Sequence, residues 1–139
     1  MNRFMIVVNP DKDTDSTVTN RIQSYLEAHG AACMVRDVFH LESSDWEALK
    51  KEQFDCVLVL GGDGTLLRMA GETEDIDIPL FGINLGTVGF LTEGEVANIE
   101  EILDRLLTDD FTIEERMMVT GTVTKADGTT YRKSALNDI

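Results

Sequence analysis

The chain has 139 residues, enough for one ordinary domain with a sizeable core and too few for two complete ones. Twelve basic against twenty-six acidic side chains give a formal net charge of −14, which argues against nonspecific binding to nucleic acid or to an anionic membrane surface. An apolar share of 42% fits a soluble globular protein, no window approaches a membrane span, and the apolar run in MNRFMIVVNP is too short for a signal segment, so the cytoplasm is the expected compartment.

Residues 3–8 run apolar, as a strand buried on both faces does, and 9–14 make a polar turn. Across 15–29, Val18, Ile22, Tyr25 and Leu26 recur at helical spacing, and Gly30 is placed to end that helix. A short strand is predicted at 31–36, then a brief helix around Asp45, Trp46, Glu47, Leu49 and Lys50, with Ser43 or Ser44 as its cap. The run DCVLVL at 55–60 reads as a buried strand, 72–77 as an acidic loop, and Pro79 introduces another strand ending near Asn84. From Val96 the pattern is helical again, with Ile99, Ile102, Leu103, Leu106 and Leu107 forming one apolar stripe that faces a core.

Then the pattern changes. Residues 111–124 and 129–136 are β-rich and joined by Ala126, Asp127 and Gly128, a hairpin turn signal. Strands alternating with helices imply right-handed crossovers and a parallel sheet. The predicted fold is therefore α/β: a Rossmann-like sheet with flanking helices over residues 1–109, followed at 110–139 by a hairpin that begins an incomplete all-β domain. Cys33 and Cys56 form no metal-binding spacing and sit among apolar neighbours, so both are expected to be buried free thiols.

The most informative segment is GGDGT at 61–65, directly behind the DCVLVL strand and opening onto Leu66, Leu67, Arg68, Met69 and Ala70. A strand, a glycine turn and a helix start suit phosphate. Glycines permit positive φ and close ligand approach, and the helix adds the positive end of its dipole. Asp63 is the anomaly, because a carboxylate beside phosphates repels them unless it holds a metal, binds a sugar hydroxyl or takes a proton. Its presence points to phosphoryl transfer rather than phosphate capture, the plainer alternative being a turn in which Asp63 caps the helix. In so acidic a chain, backbone NH groups, Arg68 and Mg²⁺ are expected to supply the positive potential. The turn at 84–90, with Asn84 and Phe90, is expected on the same rim, at the carboxyl ends of parallel strands.

GGDGT is shared by NAD kinases, by diacylglycerol and sphingosine lipid kinases and, more distantly, by phosphofructokinases. GINLGTVGFLTE at 82–93, IEERMM at 113–118 and ALNDI at 135–139 follow it in order. Together these four motifs closely resemble the NAD kinase family over almost the whole chain. The family usually has Glu where this chain has Asp138 and often Leu where it has Val88, and its nucleotide site is completed by a long β-rich segment that would follow Ile139.

The resemblance implies transfer of the terminal phosphate of ATP, or of polyphosphate, to the 2′-hydroxyl of the adenosine ribose of NAD, with Mg²⁺ or another divalent cation. It implies that Asp63 contacts that ribose and acts as general base, that Gly61, Gly62, Gly64 and Thr65 line the phosphates, and that Arg68 lies near the phosphates of NAD. It further implies that Phe90 stacks on adenine and that Asn137 and Asp138 grip the nucleotide from the β-rich side. Small-molecule substrates and a homo-oligomer are expected, with no nucleic-acid or membrane partner. Two other readings remain: a nucleotide-binding fragment without catalysis, because part of the pocket is missing, and a diacylglycerol-type lipid kinase, against which the motifs at 82–93 and 135–138 speak.

Overall fold

A computed structural model describes residues 1–85, 94–95, 99–111, 117–124 and 130–137; for 94–95 and the last two stretches, strand path and pairing are what is described. RFMIVV forms β1 (Arg3–Val8), followed by α1 (Thr17–Ala28), β2 (Ala32–Asp37), a 3₁₀ turn (Val38–His40) and α2 (Ser43–Lys51). CVLVLG forms β3 (Cys56–Gly61), and the chain continues through α3 (Asp63–Glu72), β4 (Leu80–Asn84), the two-residue β5 (Gly94–Glu95) and α4 (Ile99–Leu107). β6 (Met117–Thr124) and β7 (Thr130–Asn137) pair antiparallel with each other; the Ala126–Gly128 turn lies outside the described residues.

β1 to β5 form one parallel sheet in the order β2-β1-β3-β4-β5. Alternation along the central strands divides the core into two layers. Phe4, Ile6, Cys56, Leu58 and Leu60 join Ile22 and Leu26 of α1 and Ile99, Leu103 and Leu106 of α4 on one face. Met5, Val7, Val57 and Val59 join Leu49 of α2 and Leu66 and Met69 of α3 on the other. Every residue of β3 is buried, which explains why that segment reads as an uninterrupted apolar run instead of an alternating one.

Local signals set the helix ends. Gly30, at φ +87, takes the left-handed conformation after α1, and the NH groups of Gly30 and Ala31 donate to the carbonyls of Glu27 and Leu26 at 3.1 and 3.0 Å. This is the paired closure expected of a glycine stop, with Leu26 and Ala31 both buried beside it. At the start of α2 the expectation is corrected: Ser43 and Ser44 are helical, and the cap is Glu42. Its side chain accepts from the Asp45 backbone while Asp45 accepts from the Glu42 NH at 2.9 Å, a reciprocal pair that no serine completes here. Cys56 is buried as expected, but Cys33 is only half-buried. Burial, then the nearby acids Asp55 and Glu27 respectively, push the two thiols up to about 12 and about 11, so neither is a ready nucleophile.

Candidate active site at the switch point of the sheet

From β1 the chain moves outward to β2, then returns across β1 to β3, so the connections leaving β1 and β3 diverge. Ligands of open α/β sheets bind in the crevice where such connections part, outside the carboxyl ends of the strands. A cleft of about 300 Å³ lies there. Asn9 and Lys12, from the turn after β1, form one wall; Gly62, Gly64, Thr65 and Arg68 form another, and Val38 and Phe39 close the third side.

The β1 turn is organised by its own polar groups. The Asn9 NH donates to Leu60 O at 2.8 Å, tying the turn to β3, and Asn9 Oδ1 and O accept from the NH groups of Asp11 and Lys12 at 3.0 Å each. Asp13 is buried and accepts from the NH groups of Val18 and Thr19 at 3.2 and 2.8 Å and from Thr19 Oγ1 at 2.6 Å. Its carboxylate therefore satisfies first-turn NH groups of α1, an end that would otherwise attract an anion.

α3 is different. Its N-cap is Gly62, which has no side chain to bond the first turn. A β-carbon built on Gly62 or Gly64 meets no atom within 4 Å, so the space above both is open to a ligand. Gly61 has the opposite role: a β-carbon there would lie 2.5 Å from Thr65 Oγ1, and the missing side chain lets the buried Thr65 pack onto the end of β3. The expectation that these glycines supply positive φ is corrected. Gly62 is extended, at φ −124 and ψ −166, and among the described glycines only Gly30 has a positive φ. A strand that passes straight into a helix needs no left-handed residue, and the glycines serve steric clearance instead.

Asp63 is the first residue of α3, one position past the cap, so the reading of it as the helix cap is not borne out. In the first turn a carboxylate interacts favourably with the helix dipole, and Asp63 sits in sequence between Gly62 and Gly64, which line the crevice. Arg68, one turn further on, points along the cleft with its guanidinium 5.5 Å from the centre of the Phe39 ring and its Nε 3.4 Å from Glu72. An exposed pair of this kind is worth about 0–1 kcal/mol, so exchanging Glu72 for a phosphate costs little.

Of the second expected motif, at 84–90, only Asn84 and Leu85 are among the described residues. Asn84, buried at the end of β4, is the register partner of Gly61, and the NH of Leu85 donates to Gly61 O at 2.9 Å. Asn137 is the last residue of β7, whose strand lies alongside α3. Phe90 and Asp138 lie outside the described residues. Asn9, Lys12 and Phe39 were missed from sequence, because what brings them to the glycine turn is the strand order, a long-range property that local patterns do not carry. Among the described residues no three His, Cys, Asp or Glu side chains converge on a metal position.

The model of the ATP-NAD kinase N-terminal domain matches residues 4–111. The chain belongs to the NAD kinase family. It is 38% identical to the NAD kinase of Lachnoclostridium phytofermentans over 143 residues, covering all of this chain and 50% of that protein. It is also 38% identical to the NAD kinase of Lachnospira eligens, covering 49% of it. The chain thus spans about half the length of the curated relatives it matches. The crystal structure of yeast NADH kinase complexed with NADH shares the fold with a TM-score of 0.68 at 13% identity, over 96% of this chain and 46% of that one. In this NAD kinase family chain, the matched region contains all of the parallel sheet but Arg3 and all three sides of the switch-point cleft.

Proposed function

We propose that this chain is the amino-terminal part of an NAD kinase, transferring the terminal phosphoryl group of ATP to the 2′-hydroxyl of the adenosine ribose of NAD to make NADP. The observation that carries the reading is Asp63 at the first position of α3, a single acid set between glycines that leave the helix start open. Family membership supports it, as do relatives that bear the NAD kinase name.

In this reading the donor phosphates lie over Gly62 and Gly64, against the amino-terminal end of α3, with Lys12 and Arg68 supplying the positive charge that the chain as a whole lacks. Asp63 holds the ribose hydroxyl in line with the phosphorus and accepts its proton as the O–P bond forms. Gly61 and Thr65 set the position of that turn, and Asn84 closes it from β4. Phe90, Asn137 and Asp138 are assigned to the NAD side, on adenine and ribose. Mg²⁺ fits as an ion brought by the nucleotide, because the described residues offer it one carboxylate at the turn rather than a cage. Bound there, it would neutralise charge on the phosphates. Residues 1–109 would then form the α/β domain and 110–139 the start of a β-rich one, in a cytoplasmic homo-oligomer. Among the described residues no helix is long and apolar enough to cross a membrane.

Asp63→Asn in the full natural protein tests the assignment. NADP formation should fall by about 10² to 10⁴-fold, the range for loss of a general base, with the circular dichroism spectrum retained. An unchanged rate would remove Asp63 from the mechanism.

A further inference from the structure

In so acidic a chain most cations are paired. Among the described residues Arg3, Arg21, Arg36, Lys51, Arg68 and Arg105 each lie within 3.7 Å of a carboxylate. Lys12 and Lys50 do not, and Lys12, which lines the switch-point cleft, is the one with acids on both sides in sequence, Asp11 and Asp13. Asp13 is turned away from it. Both carboxylate oxygens of Asp13 lie on the first turn of α1, Oδ1 accepting from the Val18 NH at 3.2 Å and Oδ2 from the Thr19 NH and Thr19 Oγ1 at 2.8 and 2.6 Å. At 6% exposure the group is enclosed there.

On the other side, the Lys12 NH donates to Asn9 O at 3.0 Å, and the Asn9 NH donates to Leu60 O at 2.8 Å, one residue before Gly61. Lys12 is thus carried between two anchors, one on β3 beside the glycine turn and one on α1. Between Asp13 and α1, Ser16 donates its NH to Asp13 O at 3.0 Å and takes the left-handed conformation, φ 59, which is unfavourable for a residue with a side chain. Such conformations persist where the surrounding contacts over-determine them. A turn that only joined β1 to α1 would need neither the buried carboxylate nor the strained backbone.

We propose that Asp13 is a positioning residue for phosphoryl transfer: by committing its carboxylate to Val18 and Thr19, it holds Lys12 at the cleft and withholds from that lysine the ion pair a sequence neighbour would otherwise offer. The inference rests on the kinase reading above and deepens it. Removing the Asp13 carboxylate frees the turn from α1, and weakening its hold on Thr19 lets it turn toward Lys12. Either change leaves the lysine less available to the donor phosphates.

The test is steady-state NADP formation by the full natural protein and by Asp13→Ala, Asp13→Asn, Thr19→Val, Lys12→Ala and the variant combining Asp13→Ala with Lys12→Ala. Asp13→Ala should raise the KM for MgATP by about 10-fold, the lower end for one hydrogen bond to a charged group, with the KM for NAD unchanged. Asp13→Asn keeps an oxygen that can accept from Thr19 and should restore most of the affinity. Thr19→Val removes only the hydroxyl donor; paired with Lys12→Ala in the same way, it reads a smaller form of the effect should Asp13→Ala fail to fold. In a protein already lacking the Lys12 amine, Asp13→Ala should add nothing to the KM for MgATP. Equal increments with and without Lys12, or a parallel rise in the KM for NAD, would show that Asp13 only stabilises α1, and would overturn the proposal while leaving the kinase reading in place. A wild-type protein that forms no NADP would overturn both.

Discussion

A methyl group added at Gly61 and one added at Gly64 should act in opposite directions, although both residues belong to one motif. At Gly61 the new carbon collides with Thr65, whose β-carbon it would approach to 2.9 Å, and the backbone of Thr65 is fixed in the first turn of α3. Overpacking of this kind costs about 1–3 kcal/mol, so Gly61→Ala should lower the urea midpoint and loosen the turn. At Gly64 the carbon enters open space on a helix, where replacing glycine gains roughly 0.5–1 kcal/mol, but the proposed reading puts the donor phosphates in that space. Gly64→Ala should therefore raise the urea midpoint while weakening ATP binding in calorimetry; a gain in both would show that the phosphates do not pass over Gly64. The motif was legible from sequence at this scale because a lone acid among glycines has few structural explanations. The reason for each glycine was not, since clearance from Thr65 depends on the path of the chain and not on the local composition.

Secondary-structure elements were easiest to read where they are buried on both sides. β1 and β3 appear as apolar runs, the stripe of α4 packs as its spacing implies, and Gly30 stops α1 as glycine stops do. The start of α2 escaped because its cap depends on Arg36, a residue of another element. Arg36 Nε lies 2.7 Å from Asp45 Oδ1 and aims that carboxylate back at the Glu42 NH. Burial alone would raise the Asp45 pKa, but the Glu42 NH and the Arg36 guanidinium outweigh it and hold the carboxyl below its ordinary value of 3.8. A carboxyl group with a depressed folded-state pKa contributes stability above its unfolded value and loses that contribution as the pH falls through the folded one. Asp45→Asn should cost about 1 kcal/mol at neutral pH, with the half-exposed Arg36 contributing only a screened share. The difference from wild type should shrink steadily below pH 3.8 in urea titrations at several pH values. A difference that stays constant into acid would mean that packing, not charge, is what Asp45 supplies.

At the scale of the molecule, the two substrates of the proposed reaction fall on unequal ground. In the proposed reading the donor's share of the site lies beside the parallel sheet: the switch-point cleft, the start of α3 and the Phe39 wall all fall between Asn9 and Arg68. The acceptor's share, by the family resemblance, draws on Asp63 and Arg68 but depends also on Phe90, Asn137 and Asp138 and on a β-rich segment that the relatives, at about twice this length, have room to supply. β6 and β7 form a sheet of only two strands, and such a pair is marginal as a platform until further strands or a partner cover it. Donor and acceptor binding should thus separate when the 139-residue chain is studied alone. It is expected to bind MgATP in calorimetry, because the cleft is walled by elements that share the two packed layers of the sheet. It is expected to bind NAD weakly and to form no measurable NADP, because a ligand held on one side loses the ordering that a preorganised pocket provides. Adding the remaining segment in the same chain should restore both. NADP formation by the 139 residues alone, at a rate near that of the longer protein, would place the whole acceptor site on the α/β sheet and remove the β-rich side from the mechanism.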